Sequence, residues 1–554
     1  DHFNKTFDFA KSQMGSAQEI ALRLTPLKDV YYTHDTTFDF NPKGHRETNY
    51  VLLGIAFLIL FIAGINFTNL TTSLIPLRLK TINTHRVLGC SIYKLRAISL
   101  IESIVICLIS YILALFIVND LSYTPIANWV DADIRLSQYK GLILLTALIA
   151  ILTGCLAGLY PAIRSTSYAP ALVLKGSFGL SPKGKKVRVA LIGFQYTVSI
   201  ALIIVTLFMG LQNHFMTSSE QLGFNKDQVA IVNLTPEIYA KHKPQYIQKL
   251  KDYPGIEDVA FSVYELSKED DMIDLEYARH EDKDVFFKVF YASENFLSVM
   301  DIQVEEGRDF TREDLNKAQS DYIINPAAER DFHLHPGDRF NDRTVLGVSK
   351  DFRFNSCRIA SSPFVFALNN DIPNPKLVSY IRFNSKTNLQ EAVAHVRETL
   401  KEIDPTFPFE ISFYNTILNN LYQKEQTLGK LISLFGIMAI LISIVGVFGL
   451  VLFETQYRRK EIGIRKINGA TTGQILLMFN KTYIRIVSVC FIISIPIAWM
   501  GTQQWLENFA YKTPLHLWVF IVAFLIILSV TIGTVTFRNW QAANENPVNS
   551  VKSE

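Results

Sequence analysis

Charged residues are scarce in this chain: Asp, Glu, Lys and Arg make up 19% of its 554 residues, whereas apolar residues make up 49%. Soluble proteins usually carry about a quarter charged residues, so the composition departs from that of a soluble protein. The formal net charge of +3 is too small to indicate a protein that binds nucleic acid. The length alone predicts about two to four domains.

Cysteine is equally rare, and the five residues stand singly in the sequence. They are Cys90, Cys107, Cys155, Cys357 and Cys490. No CxxC pair is present to hold a metal ion. Only Cys357 lies in the large polar segment described below, so no disulfide bond is expected there.

Signatures of catalysis are also missing, since neither HExxH nor GxSxG occurs. Residues 179–186, GLSPKGKK, have the spacing of a Walker A loop, but Lys186 stands where Ser or Thr would hold magnesium. A basic linker is therefore predicted. His333 and His335 directly precede a Pro-Gly turn and have no third ligand at metal spacing, which predicts surface histidines. We expect no catalytic residue, metal ion or cofactor on this chain.

Long hydrophobic runs, by contrast, are abundant. A helix of about 20 apolar residues spans the ~30 Å hydrocarbon core of a bilayer. Seven stretches reach this length: 50–75, 97–118, 141–163, 189–211, 429–453, 483–503 and 516–537. One such run could be a buried core helix, but seven predict a polytopic α-helical membrane protein.

Basic residues concentrate in three of the connections, and this orients the spans. Residues 76–96, 164–188 and 454–482 are rich in Lys and Arg, and loops of this kind remain in the cytoplasm. Residues 212–428 then lie outside, and so do residues 1–49. Because a polar start outside the membrane requires an export signal or an earlier span, we expect an eighth span in the full chain.

The candidate functional residues inside the apolar runs are Asn66, Asn69, Glu102 and Gln195. Polar residues inside spans often mark transport pathways. No file of acidic or histidine residues accompanies them, as a proton relay would require. We predict that these four make interhelical hydrogen bonds.

The segment between the fourth and fifth spans, residues 212–428, is predicted to be an α+β domain. Alternating apolar residues predict strands, and helical periodicity predicts helices. The predicted strands are 228–234, 285–292, 343–352, 376–383 and 409–414, and the predicted helices are 237–253 and 388–403. Residues 415–431 are expected to continue as one helix into the fifth span.

Two halves of the chain repeat one another. RLKTINTHRVLGC at 78–90 is matched position for position by RRKEIGIRKINGA at 458–470, and further along the two halves Pro170 matches Pro547. Each half thus contains an outer domain and three following spans, with span 189–211 opening the second half. Tandem repeats of this kind are common in transport machinery.

These segments resemble the MacB/FtsX-type ABC transporter permeases over essentially the whole chain. RRKEIGIRKINGA is similar to the cytoplasmic signature of that family. Other segments similar to family landmarks are FIAGINFTNLTTS at 61–73, YPAIRSTSYAPALVLKGS at 160–177, LGFNKDQV at 222–229, EEGRDF at 305–310, IINPAAERDF at 323–332 and VLGVSKDF at 345–352.

The resemblance implies a MacB-like periplasmic core domain and two FtsX-like three-span units. The expected segments are the end of a first periplasmic domain (1–49), a first three-span unit (50–163), a cytoplasmic linker (164–188), a helix opening the second half (189–211), the periplasmic α+β domain (212–428), a second three-span unit (429–537) and a cytoplasmic tail (538–554). The expected location is the bacterial inner membrane, with the large domain in the periplasm.

The resemblance also implies that each repeated basic loop is a coupling helix that docks onto a separate cytoplasmic ATPase. On a helix, Glu461 and Arg465 share one face at i and i+4, and Gly469 suits a C-cap. Basic residues that only anchor the loop inside the cell would not require Glu461, Gly463 or Gly469. The docking residues expected in the second loop are Arg458, Lys460, Glu461, Ile462, Gly463, Arg465, Lys466 and Gly469, with Ile464 and Ile467 adding apolar contact.

The first loop departs from this pattern. Thr81, Asn83 and His85 stand where the second loop has Glu461, Gly463 and Arg465. The docking residues expected there are Lys80, Arg86, Leu88 and Gly89. We expect weaker docking at this loop, or docking to one side of an asymmetric ATPase pair.

The implied function is that of a permease subunit. It would couple ATP hydrolysis by a dimer of ABC ATPase subunits, which bind the ATP and magnesium, to movement of periplasmic domains for export or efflux of antibiotic, peptide or lipoprotein-like cargo. Expected partners are this ATPase, the lipid bilayer, a periplasmic adaptor and an outer-membrane channel, but no nucleic acid. The alternative is a signalling subunit that moves no cargo and controls a periplasmic enzyme or sensor. A membrane-bound enzyme is a third class.

Overall fold

The structure of the chain is a computed structural model, and it divides into two compact units, residues 1–58 and 59–554. The described residues are 25–32, 46–129, 135–167, 182–218, 222–267, 274–280, 283–317, 319–368 and 377–544. Most of the predicted domain end at 1–49 therefore lies outside the described residues. Within the first unit, the Arg46 guanidinium pairs with Asp29 and lies 4.9 Å from the centre of the Tyr32 ring.

Helices account for most of the described chain. They are α1 (Leu27–Val30), α2 (Arg46–Ser73), α3 (Ile75–Val87), α4 (Ile92–Leu121), α5 (Lys140–Thr166), α6 (Pro182–Thr217), α7 (Lys243–Lys251), α8 (Phe296–Met300), α9 (Pro326–Phe332), α10 (Leu389–Ile403), α11 (Tyr414–Leu421), α12 (Gln423–Tyr457), α13 (Arg459–Ile467), α14 (Thr472–Leu506) and α15 (Leu517–Ala543). Proline at Pro182 and at Pro326 opens a helix, where the missing N–H is no loss.

Seven helices in the described part of the chain are long and apolar enough to cross a membrane. These spans are Thr48–Ser73, Ile92–Leu121, Lys140–Thr166, Val189–Thr217, Gln423–Val451, Thr472–Leu506 and Leu517–Gln541. All seven predicted spans are thus confirmed. Helix α6 already begins at Pro182, so it extends into the segment predicted as a linker and into the Walker-like stretch, of which residues 179–181 lie outside the described residues.

Helix α6 forms the centre of the second half. About half of the residues in its most apolar stretch are buried, because the helix packs against α12, α14 and α15. Tyr196, Ile200 and Phe208 are fully buried in the core that the four helices share. The Tyr196 hydroxyl also accepts a hydrogen bond of 3.0 Å from Thr531 Oγ1, which satisfies a polar atom in this apolar core.

In the first half, α4 and α5 pack closely through small residues. A Cβ added at Gly158 would overlap the side chain of Ser103, and one added at Gly154 would come within 3.0 Å of the Ile104 Cα. Glycine at these positions therefore allows the two helix backbones to approach, which is the usual basis of helix association in membranes.

The outer domain is built on one mixed sheet. In the described residues its strands are β1 (Val229–Leu234), β2 (Ile256–Ser262), β3 (Asp274–His280), β4 (Lys283–Ala292), β5 (Val304–Gly307), β6 (Tyr322–Ile324), β7 (Arg339–Phe340), β8 (Arg343–Ser349), β9 (Phe364–Leu368), β10 (Leu377–Phe383) and β11 (Ile411–Phe413). The order is β11-β1-β10-β2-β4-β9-β6-β8-β5, with β3 paired to β4 and β7 to β8. Pairs β4–β9 and β6–β8 are parallel and the others are antiparallel. The chain is a polytopic helical membrane protein with a large extracytoplasmic α+β domain, as predicted.

The prediction of one continuous helix over residues 415–431 is wrong. Helix α11 ends at Leu421, Tyr422 leaves helical geometry, and α12 begins at Gln423. Burial of the Tyr422 ring accounts for the break, because its hydroxyl accepts a hydrogen bond of 3.2 Å from the Cys357 backbone N–H. The stalk between the outer domain and the fifth span is therefore jointed.

The polar residues inside the spans behave in two ways. Asn66 Nδ2 donates to the Ile442 carbonyl oxygen at 2.6 Å, and Arg78 Nη1 lies 2.8 Å from Glu102 Oε2. Interhelical bonding is thus confirmed for Asn66 and Glu102. Gln195 is buried, and neither end of its amide has a hydrogen-bond partner in the described chain; the same holds for Asn69 Nδ2.

Candidate functional site: two repeated cytoplasmic corners

The second basic loop folds as the short helix α13, which connects the ends of α12 and α14. The helical path breaks at Arg458, whose side chain is held on both sides of the break. Its guanidinium lies 3.0 Å from Glu454 Oε1 and 3.9 Å from Glu461 Oε2. The same group lies 5.7 Å from the centre of the Phe479 ring on α14. Arg458 therefore links all three helices at this turn.

One face of α13 carries a ladder of alternating charge. Arg465 Nη2 donates to Glu461 Oε1 at 2.8 Å, as the i, i+4 spacing predicts, and the ladder continues through Arg458 to Glu454. Exposed i, i+4 pairs stabilise a helix by about 0.3–0.5 kcal/mol each. Such small energies leave these charges available to a partner.

A tight cap ends α13 and turns the chain into α14. Gly469 has φ +86°, and the Ala470 N–H donates to the Arg465 carbonyl oxygen at 2.9 Å, the pattern of a Schellman cap. Thr471 and Gln474 then form a capping box that starts α14. The predicted C-cap role of Gly469 is confirmed.

The first basic loop repeats the glycine cap and the side-chain N-cap of this corner, without the reciprocal bond of the capping box. Gly89 has φ +90°, and the Cys90 N–H donates to the His85 carbonyl oxygen at 3.0 Å. Ser91 Oγ then accepts from the Lys94 N–H at 3.3 Å and caps α4. Each of these positions aligns with its counterpart in the second corner when the two halves are superimposed by sequence. The two corners are therefore equivalent in backbone geometry.

Burial divides the predicted docking residues of the second corner. Ile462 and Gly463 face inward, and Ile462 belongs to the core formed with α6, α12, α14 and α15. Ile464 and Ile467 are 54% and 65% exposed. The apolar surface of α13 is therefore supplied by Ile464 and Ile467, while Ile462 anchors the helix to the bundle.

The first corner presents a different surface. Leu88 and Val87 are 78% and 71% exposed. Arg86 is half-buried, and its guanidinium lies 3.4 Å from the Thr166 carbonyl oxygen at the end of α5. Asn83 is buried, as is its counterpart Gly463. At the positions of Glu461 and Arg465 the first corner has the exposed Thr81 and His85, so it lacks the charge pair of the second corner.

Two of the predicted docking residues are described only in their backbone. Lys80 lies within α3 and Lys460 within α13, and their side chains lie outside the described part of the chain. Lys466 is half-buried near the end of α13, where a basic side chain is favoured by the helix dipole.

The outer ends of the same helices meet the outer domain at a second joint, which the sequence did not indicate. The loop after α14 inserts Tyr511 against the outer-domain segment that follows β8. The Tyr511 N–H donates to the Cys357 carbonyl oxygen at 3.1 Å, and the Ser361 N–H donates to the Tyr511 hydroxyl at 3.1 Å. The Arg353 guanidinium lies 4.0 Å from the centre of the Tyr511 ring.

Two buried polar side chains connect this joint to the membrane helices. Gln212 of α6 donates to the Tyr511 carbonyl oxygen at 3.0 Å and accepts from the Thr513 N–H at 2.8 Å. Arg358 Nε lies 2.7 Å from Oε1 of the buried Glu425 at the start of α12. The outer domain is therefore tied to α6, α12 and the loop after α14.

Comparison with known families decides what these repeated units are. The FtsX-like permease C-terminal family model matches residues 53–170 and 433–547. The first match ends at Pro170 and the second at Pro547, the two prolines that correspond in the repeat, and each match contains one of the repeated basic loops. Both repeated three-span units of the chain are therefore FtsX-like permease units.

This permease is similar to curated proteins named macrolide export ATP-binding/permease protein MacB. The protein from Aggregatibacter actinomycetemcomitans is 25% identical over 212 residues, which cover 36% of the permease and 32% of that relative. The protein from Neisseria gonorrhoeae is 25% identical over 223 residues, which cover 38% and 34%. The permease thus spans about a third of the length of the curated relatives it matches.

Solved structures with similar segments include the periplasmic region of MacB from Actinobacillus actinomycetemcomitans. The TM-score is 0.27 at 15% identity, over 36% of the permease and 94% of that chain. The extracellular domain of the ABC-type transporter YknZ from Gram-positive bacteria gives a TM-score of 0.25 at 15% identity, over 33% and 99%.

Proposed function

We propose that this permease is the membrane subunit of an ABC export system and that a separate cytoplasmic ATPase docks onto both corners. The observation that carries the proposal is the duplicated corner, with the same glycine cap and the same start of the next helix in each half. A rigid turn that exposes Ile464 and Ile467 beside the pair of Glu461 and Arg465 suits a protein groove. Lipid anchoring would require neither the carboxylate nor the caps.

In this function the ATPase supplies the nucleotide chemistry. ATP and magnesium bind to the ATPase subunits, and this chain contributes the surfaces on which they press. One ATPase subunit would meet α13 and a second would meet the corner after α3. The exposed side chains of the two corners differ, so the two contacts would differ in strength.

Helix α14 supplies a direct path for movement across the membrane. It starts at the second corner and runs unbroken from Thr472 to Leu506, about 52 Å at 1.5 Å per residue. The loop that follows it is bonded to the outer domain through Tyr511. A displacement of α13 by the ATPase would therefore move the outer domain through α14, in addition to any movement carried by the jointed stalk.

The proposed cargo leaves the periplasm or the outer leaflet of the bacterial inner membrane and is of the antibiotic, peptide or lipoprotein class. The similarity to proteins named macrolide export ATP-binding/permease protein MacB supports export of this kind. A periplasmic adaptor and an outer-membrane channel would complete the pathway on the outer side.

The decisive experiment is purification of the full-length permease from its native membrane, with identification and counting of the proteins that accompany it. We expect an ABC ATPase at two copies per permease chain. A cysteine introduced at the exposed Asn468 should react with a membrane-impermeant label only after the cytoplasmic side is opened. Recovery without any ATPase, or labelling from outside, would overturn the proposal.

A further inference from the structure

Three side chains that can bind metal ions converge at one edge of the outer domain. They are Glu306 on β5, Glu329 on α9 and His335 in the turn after α9. One ligand atom from each lies within 4.8 Å of the other two. Glu306 lies more than twenty residues before the other two in the sequence, which is why the pattern around His333 and His335 did not indicate a third ligand.

The backbone around His335 is fixed by local hydrogen bonds. His333 ends α9 in the left-handed region with φ +54°, and the Leu334 N–H donates to the Glu329 carbonyl oxygen at 3.2 Å. The His335 N–H then donates to Asp338 Oδ2 at 2.7 Å. These bonds therefore hold His335 beside the turn of α9 that carries Glu329.

The distance between His335 and Glu329 fits shared coordination better than direct hydrogen bonding. His335 Nδ1 and Glu329 Oε1 are 3.6 Å apart, which is too long for a hydrogen bond between them. Two ligands held at about 2.0–2.2 Å from a tetrahedral zinc ion lie roughly 3.4 Å from each other. The observed separation of 3.6 Å is close to this distance between two zinc ligands.

The charges around the cluster are also unbalanced. The ion pairs found among the described residues give neither Glu306 nor Glu329 a Lys or Arg partner, and the pair formed by Glu329 is with His335. Two carboxylates brought this close repel each other unless a cation lies between them. A divalent ion would remove this repulsion.

We propose that Glu306, Glu329 and His335 form a binding site for a zinc ion on the outer domain. One imidazole and two carboxylates suit zinc, whereas calcium and magnesium prefer ligand sets made of oxygen alone. Solvent would supply the fourth ligand, because the cluster is open to water. The site joins β5, at the edge of the sheet, to α9 and its turn, and it goes beyond the proposed permease function.

Calorimetric titration of the full-length permease in detergent with zinc alone, after removal of any purification tag, tests this proposal. We expect one zinc site per chain, and we expect His335→Ala and Glu306→Gln each to weaken binding by about tenfold or more, since losing even a group behind a metal ligand costs about 10–100-fold. His333→Asn is the matched control, because His333 is also exposed and Asn tolerates its left-handed backbone.

A second measurement separates loss of the site from loss of the fold. Zinc should raise the thermal unfolding midpoint of the wild-type chain and of His333→Asn, but not that of His335→Ala. Without zinc, all three midpoints should agree. Equal zinc affinity in wild type and His335→Ala, or equal weakening by His333→Asn, would overturn the proposal, as would displacement of bound zinc by a modest excess of calcium.

Discussion

Asn66 of α2 packs against Gly446 of α12, and the two residues are counterparts in the repeat. The Asn66 amide also donates to the Ile442 carbonyl oxygen, one turn before Gly446. Contact between equivalent residues is the property of a two-fold interface, here within one chain. The spans that lead into the two cytoplasmic corners therefore meet each other at the repeat axis.

Gly446→Ala should destabilise this crossing, because a Cβ there would overlap the Asn66 amide. Overpacking of this kind costs about 1–3 kcal/mol, so the thermal unfolding midpoint in detergent should fall. Gly533→Ala is the control, since a Cβ at Gly533 meets no atom within 4 Å. Adding Asn66→Ala should recover part of the loss, and strictly additive effects of the two substitutions would argue against a direct contact.

The charge ladder of α13 can be tested without destroying it. Glu461→Lys should reduce co-purification of the ATPase, since it breaks the 2.8 Å pair with Arg465 and reverses the charge presented to the partner. The swap of Glu461→Arg with Arg465→Glu retains an internal ion pair but reverses both charges. We expect the swap to abolish co-purification as well.

The same experiment in the first corner provides the comparison. Thr81→Lys and His85→Glu should reduce co-purification less, because the first corner has no charge ladder at these positions. Normal ATPase recovery in the swap variant would show that the ladder only stabilises α13. Equal losses at both corners would refute the expected asymmetry.

Gln212 should couple the outer joint to the membrane helices. Gln212→Leu removes the partners of the Tyr511 carbonyl oxygen and the Thr513 N–H, and an unpaired buried polar group costs about 1–3 kcal/mol. We expect a lower unfolding midpoint and impaired export, measured in vesicles, while ATPase co-purification is retained. Gln504→Leu, at an exposed position of α14, should change the midpoint little; a matching loss of export there would remove the case for a specific joint.

Acid should weaken the outer domain through Asp314. Arg308 donates to both carboxylate oxygens at 2.7 and 2.8 Å and, with hydrogen bonds from Thr311, holds the pKa of Asp314 well below its usual value. Because the folded-state pKa is lowered, this stabilisation is present above the unfolded pKa of about 3.9 and is lost as pH falls below it.

Asp314→Asn should therefore lower stability at pH 7 and flatten its fall as the pH drops below about 4. Chemical denaturation of the full-length chain at several pH values, followed through the outer domain, measures both effects. Asp331→Asn, at an exposed carboxylate that pairs only with its neighbour Arg330 in the described structure, is the control. An unchanged pH slope in Asp314→Asn would show that other carboxylates dominate.

The sequence predicted well the features that depend on residues close together in the chain. The spans follow from uninterrupted apolar length, and the corners follow from Gly89 and Gly469, whose positive φ values few other residues adopt. The charge pair of Glu461 and Arg465 follows from helical spacing alone.

The features that the sequence did not predict depend on contacts between distant residues. Strands β6 and β9 are short and fully buried, so they lack the alternation that identifies a half-exposed strand. The break at Tyr422 depends on Cys357, which lies far away in the sequence. The inward position of Ile462 depends on helices from both sides of the outer domain, which spacing within α13 cannot reveal.

Equivalent corners within one polypeptide have a consequence for how such a permease can diverge. In a homodimer, every substitution in the gene would appear twice, so a change that spoiled one contact would spoil both. Here a single gene encodes each corner separately, and the backbone caps around Gly89 and Gly469 remain the same while the exposed side chains differ. The side chains of one corner can therefore change while the other corner retains its contact with the proposed ATPase.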